Sequence, residues 1–197
     1  MNLPNAITLS RLVLTAVFVA GTTFESPLGR WIAMVSFVIA AISDFVDGWL
    51  ARKLGLVTPM GKLLDPVADK VLVCSAFVYL SAQGSVGCPV WVTALILARE
   101  FLVTALRQIA IEVGYVIAAD RLGKWKTGLQ LTFCITCLVG FAFQSLDPHN
   151  LFVALIQYLS SPNGWLVPLS LWLALGLTLL SGWNYVWTCR HLLRPPS

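Results

Sequence analysis

Six long apolar stretches divide the sequence, near residues 7–23, 31–51, 66–83, 89–112, 125–144 and 165–189. Each runs close to the roughly 20 residues that one helix needs to cross the hydrocarbon of a bilayer. Polar and turn-forming segments separate them, at 21–30, 54–64, 84–89, 114–126 and 144–164. The pattern predicts an all-α protein, an integral membrane bundle of six transmembrane helices forming a single domain over residues 1–197. Two shorter features sit outside the six stretches. The N-terminal "MNLPNAITLSRL" reads as an interfacial segment, with Asn5 or Thr8 as a helix cap. Leu151–Leu159 is apolar within the longest connection and predicts a short helix lying along the membrane surface.

Composition agrees with this reading. Hydrophobic residues make up 58% of the chain and charged residues 11%, against about 45–50% and about 25% in soluble domains. One small globule cannot hide that much apolar surface. The first stretch begins almost at Met1 without a small-residue cleavage site after it, so it reads as a retained helix. Arg11, Arg52, Lys53, Lys62, Lys70, Arg121, Lys124, Lys126, Arg190 and Arg194 fall at one set of helix ends, and Arg30 at the other. Cytoplasmic loops are enriched in Lys and Arg, so both termini are expected in the cytoplasm. The net charge of +4 is mostly this asymmetry and implies no nucleic-acid partner. Cys134 and Cys137 form a C-x-x-C pair inside an apolar stretch, where small packing residues are expected rather than metal or redox chemistry.

The chemistry concentrates in one short region. Four of the nine acidic residues, Asp44, Asp47, Asp65 and Asp69, lie where the second stretch ends and the third begins. Four carboxylates gathered near a membrane boundary repel one another, and Arg52 and Lys70 do not suffice to offset them. On a helix advancing about 100° per residue, Asp44, Asp47, Gly48, Ala51 and Arg52 share an arc of about 140°. Asp65 and Asp69, four apart, share a face of the next helix. Two helices that each offer two carboxylates suit a pair of cations about 3.5–4 Å apart. Oxygen-only ligation favours Mg²⁺ or Mn²⁺ over zinc. Gly48 and Ala51 leave room for a ligand to approach the backbone. Taken singly, Asp65 before Pro66 also reads as a helix cap, and Gly48 and Ala51 as helix-packing residues.

The stretch "DFVDGWLARKLGLVTPMGKLLDPVAD" resembles the signature of the CDP-alcohol phosphatidyltransferase family, D-x-x-D-G-x-x-A-R-x8-G-x3-D-x3-D. All eight fixed positions are filled, by Asp44, Asp47, Gly48, Ala51, Arg52, Gly61, Asp65 and Asp69. The resemblance extends over the whole chain and implies six membrane helices with an interfacial N-terminal segment. It implies the four aspartates as ligands of two divalent cations, Mg²⁺ or Mn²⁺, and Asp69 also as general base. It implies Gly48, Ala51, Arg52, Thr58 and Gly61 beside the CDP moiety of CDP-diacylglycerol, with Asn5 and Thr8 of "PNAIT" on the nucleotide side. It also implies a homodimer in the bacterial inner membrane, multi-pass, in contact with membrane lipid and with its active site facing the cytoplasm.

The acceptor alcohol is read from the remaining buried charges. Arg99, Glu100 and Arg107 fall inside the fourth stretch, and Lys124 and Lys126 open the fifth. A basic pocket beside the metals suits an acceptor that is itself a phosphate. The strings "ILAREFLVTALRQ" and "GKWKTGLQ" resemble those of family members that use sn-glycerol-3-phosphate. Arg99, Arg107, Lys124 and Lys126 are therefore the expected contacts of the acceptor phosphate. Another acceptor, such as inositol phosphate, is the alternative within the same chemistry. A divalent-cation transporter using the aspartates as its transport site is the alternative outside it.

Overall fold

The computed structural model describes residues 3–54, 59–112 and 121–190, and within these helices leaves the side chains of 3–8, 44–54, 59–67, 69, 121 and 122 outside the description. All regular structure among the described residues is helical. Seven helices follow in order: α1 (Leu3–Thr23), α2 (Pro27–Leu54), α3 (Pro59–Ala82), α4 (Val90–Glu112), α5 (Arg121–Phe143), α6 (Leu151–Leu159) and α7 (Leu166–Cys189). A single 3-10 turn, Gly84–Val86, joins α3 to α4.

Local chemistry sets the helix starts. Pro27 opens α2, where a missing N–H costs nothing, and Ser26 Oγ accepts from the Gly29 N–H at 3.1 Å. Asn150 Oδ1 accepts from the Phe152 N–H at 2.9 Å and caps α6, the short helix expected in the longest connection. Three boundaries differ from the sequence reading. Helix α1 runs unbroken from Leu3, so Asn5 and Thr8 lie inside it and do not cap it. Helix α3 starts at Pro59, which puts Asp65 within the helix instead of at its cap. Helix α2 starts at Pro27, about one turn before the apolar run.

The long helices alternate in direction. Helices α1 and α2 form a tight antiparallel hairpin, since a Cβ on Gly21 would stand 2.9 Å from the Ala33 nitrogen. Small residues at such crossings let helix backbones approach. Helix α1 packs on both α2 and α3, and α7 packs on both α4 and α5. Rings from four helices fill the centre: Phe18 meets Phe37 with centroids 5.4 Å apart, and Phe77 stacks on Phe133 at 5.4 Å. Cys134 and Cys137 are buried in this core as free thiols, consistent with a packing role.

The outside of the bundle is also apolar. Val13, Ile39, Val78, Phe101, Leu173 and Leu180 are all exposed. Such a continuous apolar exterior is what lipid requires. Exposed tryptophans mark both ends: Trp91, Trp165 and Trp172 at one, Trp125, Trp183 and Trp187 at the other. Along α7, Trp165 and Trp187 are 22 residues apart in sequence, or about 33 Å at helical rise, close to the hydrocarbon thickness of a bilayer. Buried hydroxyls bond to their own helix, as Thr15 Oγ1 does to Arg11 O at 2.8 Å and Ser36 Oγ to Ile32 O at 2.7 Å. Helices 123–143 and 166–189 are long and apolar enough to cross a membrane. The described apolar parts of α1, α2 and α3 are shorter, at Leu9–Thr23, Pro27–Ser43 and Lys70–Ala82. Helix α4 carries Arg99 and Glu100 in its middle and Arg107 two turns on.

Candidate active site

One end of the bundle gathers the chain's interior charges into a layer. The four aspartates lie on the last turns of α2 (Asp44, Asp47) and the first turns of α3 (Asp65, Asp69). Their side chains, and those of Gly48, Ala51, Arg52 and Gly61, lie outside the described residues, as does Thr58 altogether. The side chains of Asn5 and Thr8 do too. Backbone register still places Asp44 and Asp69 along their helices. Phe18 of α1 touches Phe37 of the antiparallel α2, and Arg11 and Asp44 each stand seven residues from that contact toward the same end. Phe77 of α3 stacks on Phe133 of the parallel α5. Asp69 is eight residues before the first ring and Lys126 seven before the second, a difference of about 1.5 Å along the axis.

In this layer Lys126 is 4% exposed, and it donates its ammonium to Glu100 Oε1 across α4 and α5. The same carboxylate oxygen receives Arg99 Nη1 at 3.5 Å. Arg99 Nη2 donates to Ser181 Oγ of α7. Next to Ser181, Gly182 has no side chain where Arg99 passes, and a Cβ there would lie 2.9 Å from Arg99 Cγ. One turn deeper, Gln130 Nε2 donates to Thr178 Oγ1 at 3.3 Å. Charged groups inside a membrane bundle are costly and persist only when paired. Among the described residues one carboxylate serves two cations in a cluster walled by three helices.

Of the four expected acceptor contacts, the structure joins Arg99 and Lys126. Arg107 lies two turns nearer the same end, where its Nε donates to Tyr185 Oη at 3.2 Å and its guanidinium sits 5.8 Å from that ring's centroid. Lys124 is exposed and two positions from Lys126, about 200° around α5, so the two lysines leave the helix on different sides.

Sequence reasoning missed Ser181, Gly182 and Arg11. The first two sit in an apolar run more than 80 residues from Arg99, with no local signal. Arg11 counts in the sequence only toward topology. It is 2% exposed, on the helix that packs against both aspartate-bearing helices. Its place beside an "NAIT" segment already rich in polar residues was the available clue.

Among the described residues no group of His, Cys, Asp or Glu can hold a metal. The aspartates, whose side chains lie outside the description, are the positions with the right donors. They offer carboxylate oxygen alone, from two helices consecutive in the chain, which fits hard divalent cations.

Comparison with known proteins covers nearly the whole chain. The family profile described as CDP-alcohol phosphatidyltransferase matches residues 1–180. A Bacillus subtilis CDP-diacylglycerol–glycerol-3-phosphate 3-phosphatidyltransferase is 38% identical over 196 residues, covering 93% of each chain. The Rickettsia bellii protein of that name is 37% identical over 192 residues, covering 96% of each. A probable phosphatidylglycerophosphate synthase of Mycobacterium tuberculosis is 44% identical over 132 residues, covering 66% of this chain and 62% of that one.

Proposed function

The chain belongs to the CDP-alcohol phosphatidyltransferase family, and from that premise we propose that it transfers the phosphatidyl group of CDP-diacylglycerol to sn-glycerol-3-phosphate. The products are phosphatidylglycerophosphate and CMP. The observation that carries the acceptor assignment is the cationic cluster of Arg99 and Lys126, at the level of Asp69 in the bundle.

The chemistry follows from the residues. Asp44, Asp47, Asp65 and Asp69 are suited to hold two divalent cations, Mg²⁺ or Mn²⁺. When bound, these neutralise the pyrophosphate and stabilise charge on the leaving oxygen. Arg52 offers a planar donor fork to a phosphate. Gly48 and Ala51 let the nucleotide approach the α2 backbone, with Asn5, Thr8, Thr58 and Gly61 toward the same side. Arg99 and Lys126, with Arg107 nearer the bundle end, hold the acceptor's phosphate and so aim its free hydroxyl. Lys124 adds positive field at the surface. The hydroxyl oxygen bonds to the lipid-linked phosphorus as the bond to the CMP phosphate breaks. Asp69 takes the hydroxyl proton in the same step, because a carboxylate is too weak a base to remove it beforehand.

The chain is a membrane protein, with two helices able to span a bilayer by length and composition. Six spans, with α6 at the surface, both termini and the active site on the cytoplasmic side of the bacterial inner membrane, and a homodimeric assembly, complete the proposal. The basic residues at one set of ends support the orientation, and the tryptophans at both ends support the membrane span.

The test is CMP release by purified protein in detergent with CDP-diacylglycerol and Mg²⁺ or Mn²⁺, adding glycerol-3-phosphate, inositol phosphate or serine singly. Release with glycerol-3-phosphate alone is expected. Release with inositol phosphate instead would keep the metal site and replace the acceptor. No release with any acceptor from folded protein would overturn the proposal in favour of cation transport.

A further inference from the structure

Glu100, Ser181 and Gly182 belong to the charged layer but have no part in the reaction proposed above. Arg99 and Lys126 stand on different helices, and both are largely buried, with side-chain exposures of 10% and 5%. Two buried cations repel. Left to themselves they would turn apart, Arg99 along its long flexible arm and Lys126 toward the bundle end. A site that recognises a phosphomonoester needs them converging before the ligand arrives, since ordering them afterwards subtracts from affinity.

We infer that Glu100 and Ser181 are positioning residues that hold Arg99 and Lys126 in the geometry that receives the acceptor's phosphate; the inference rests on the acceptor assignment above. Glu100 Oε1 is the common partner of both cations. It fixes their separation and offsets their mutual repulsion. Ser181 Oγ holds the far nitrogen, Nη2, of the same guanidinium. Arg99 is therefore gripped from α4 on one side and α7 on the other. Gly182 supplies the space through which the Arg99 stem reaches Ser181. A guanidinium and an ammonium held together in this way favour a phosphorylated alcohol over a neutral one. Glu100 does not touch the reacting atoms; it acts through the two cations.

The experiment measures steady-state kinetics of full-length Glu100→Gln and Ser181→Ala in detergent, varying glycerol-3-phosphate and CDP-diacylglycerol separately, with Arg99→Ala and Lys126→Ala alongside. Glu100→Gln keeps shape and removes charge, and should raise the KM for glycerol-3-phosphate about tenfold, as loss of a hydrogen bond to a charged group does. Ser181→Ala should raise it several-fold. In both, the KM for CDP-diacylglycerol and the thermal midpoint should stay near wild type, and the preference for glycerol-3-phosphate over glycerol should fall. An unchanged acceptor KM, or equal losses toward both substrates with a lowered midpoint, would make Glu100 and Ser181 structural only and overturn the inference. A lowered acceptor KM would show Glu100 competing with the phosphate, which overturns it too. If Arg99→Ala and Lys126→Ala themselves leave the acceptor KM unchanged, the acceptor assignment fails and the inference falls with it. If those two raise it while Glu100→Gln and Ser181→Ala do not, the assignment stands and only the positioning role is lost.

Discussion

Gly182 of α7 lies against the stem of Arg99 of α4, so closely that a methyl group on Gly182 would stand 2.9 Å from Arg99 Cγ. The contact is with the root of the arginine, not its mobile tip. A Gly182→Ala substitution must therefore move the side chain at its base and carry the guanidinium off Ser181. The expected outcome is a rise of about tenfold in the KM for the acceptor, with the KM for CDP-diacylglycerol near wild type. Kinetics with each substrate varied in turn would check it.

Asp69 has two proposed duties, to hold a cation and to take the acceptor's proton. Asp69→Asn keeps the shape and loses the basicity. Turnover should fall by at least about 100-fold, the lower end of what a general base contributes. CMP binding, measured by calorimetry, should persist in part, because the other three aspartates and Arg52 remain. Full turnover in this variant would remove Asp69 from the role of base.

Metal removal gives an independent check on the aspartates. Dialysis against EDTA should abolish CMP release, and Mg²⁺ or Mn²⁺ should restore it while Ca²⁺, larger and less strict in geometry, should not do so fully. Undiminished activity after exhaustive chelation would refute the two-cation site.

Gly21 tests the fold at the opposite end. A side chain there would enter the α2 backbone near Ala33. Gly21→Val should cost about 1–3 kcal/mol by overpacking and lower the thermal midpoint in detergent by several degrees. The acceptor KM should not change, since the site lies at the other end of the bundle.

Cys88, in the turn before α4, probes that turn. Burial pushes its thiol above the ordinary range, and its contact with Thr93 Oγ1 at 3.5 Å opposes this only in part. The thiolate is the reactive form, so alkylation near neutral pH should be slower than for a model thiol. It should accelerate only as pH rises past the usual cysteine value. A variant keeping Cys88 as its single cysteine, followed by maleimide labelling against pH, reads this directly.

Much of the molecule was written locally. Apolar runs of membrane length located the helix-forming segments, because a helix satisfies its backbone within one contiguous stretch. Apolar Leu151–Leu159 between polar flanks foretold α6, and Asn150 supplied its cap. The aspartate signature was legible for a similar reason. Its eight positions lie within 26 residues, and helical periodicity alone brings the carboxylates of each helix to one face. Boundaries were read less well, as at α3: Pro59 and Gly61 look like a loop, yet a proline fits the first turn of a helix.

The acceptor side depended on the tertiary structure. Lys124 and Lys126 look equivalent in sequence, yet only Lys126 turns inward to Glu100, because two residues rotate a side chain by about 200°. Arg99 suggested a buried cation, but its partner Ser181 is 82 positions away, and only the packing of α4 on α7 brings them together. The sequence by itself determined the family, the helix-forming segments and the spacing of the four aspartates proposed to hold metal, all set by contiguous runs and short spacings. The fold decided which distant cations converge, which carboxylate holds them and where a missing side chain leaves room, because those contacts exist only when separate helices pack.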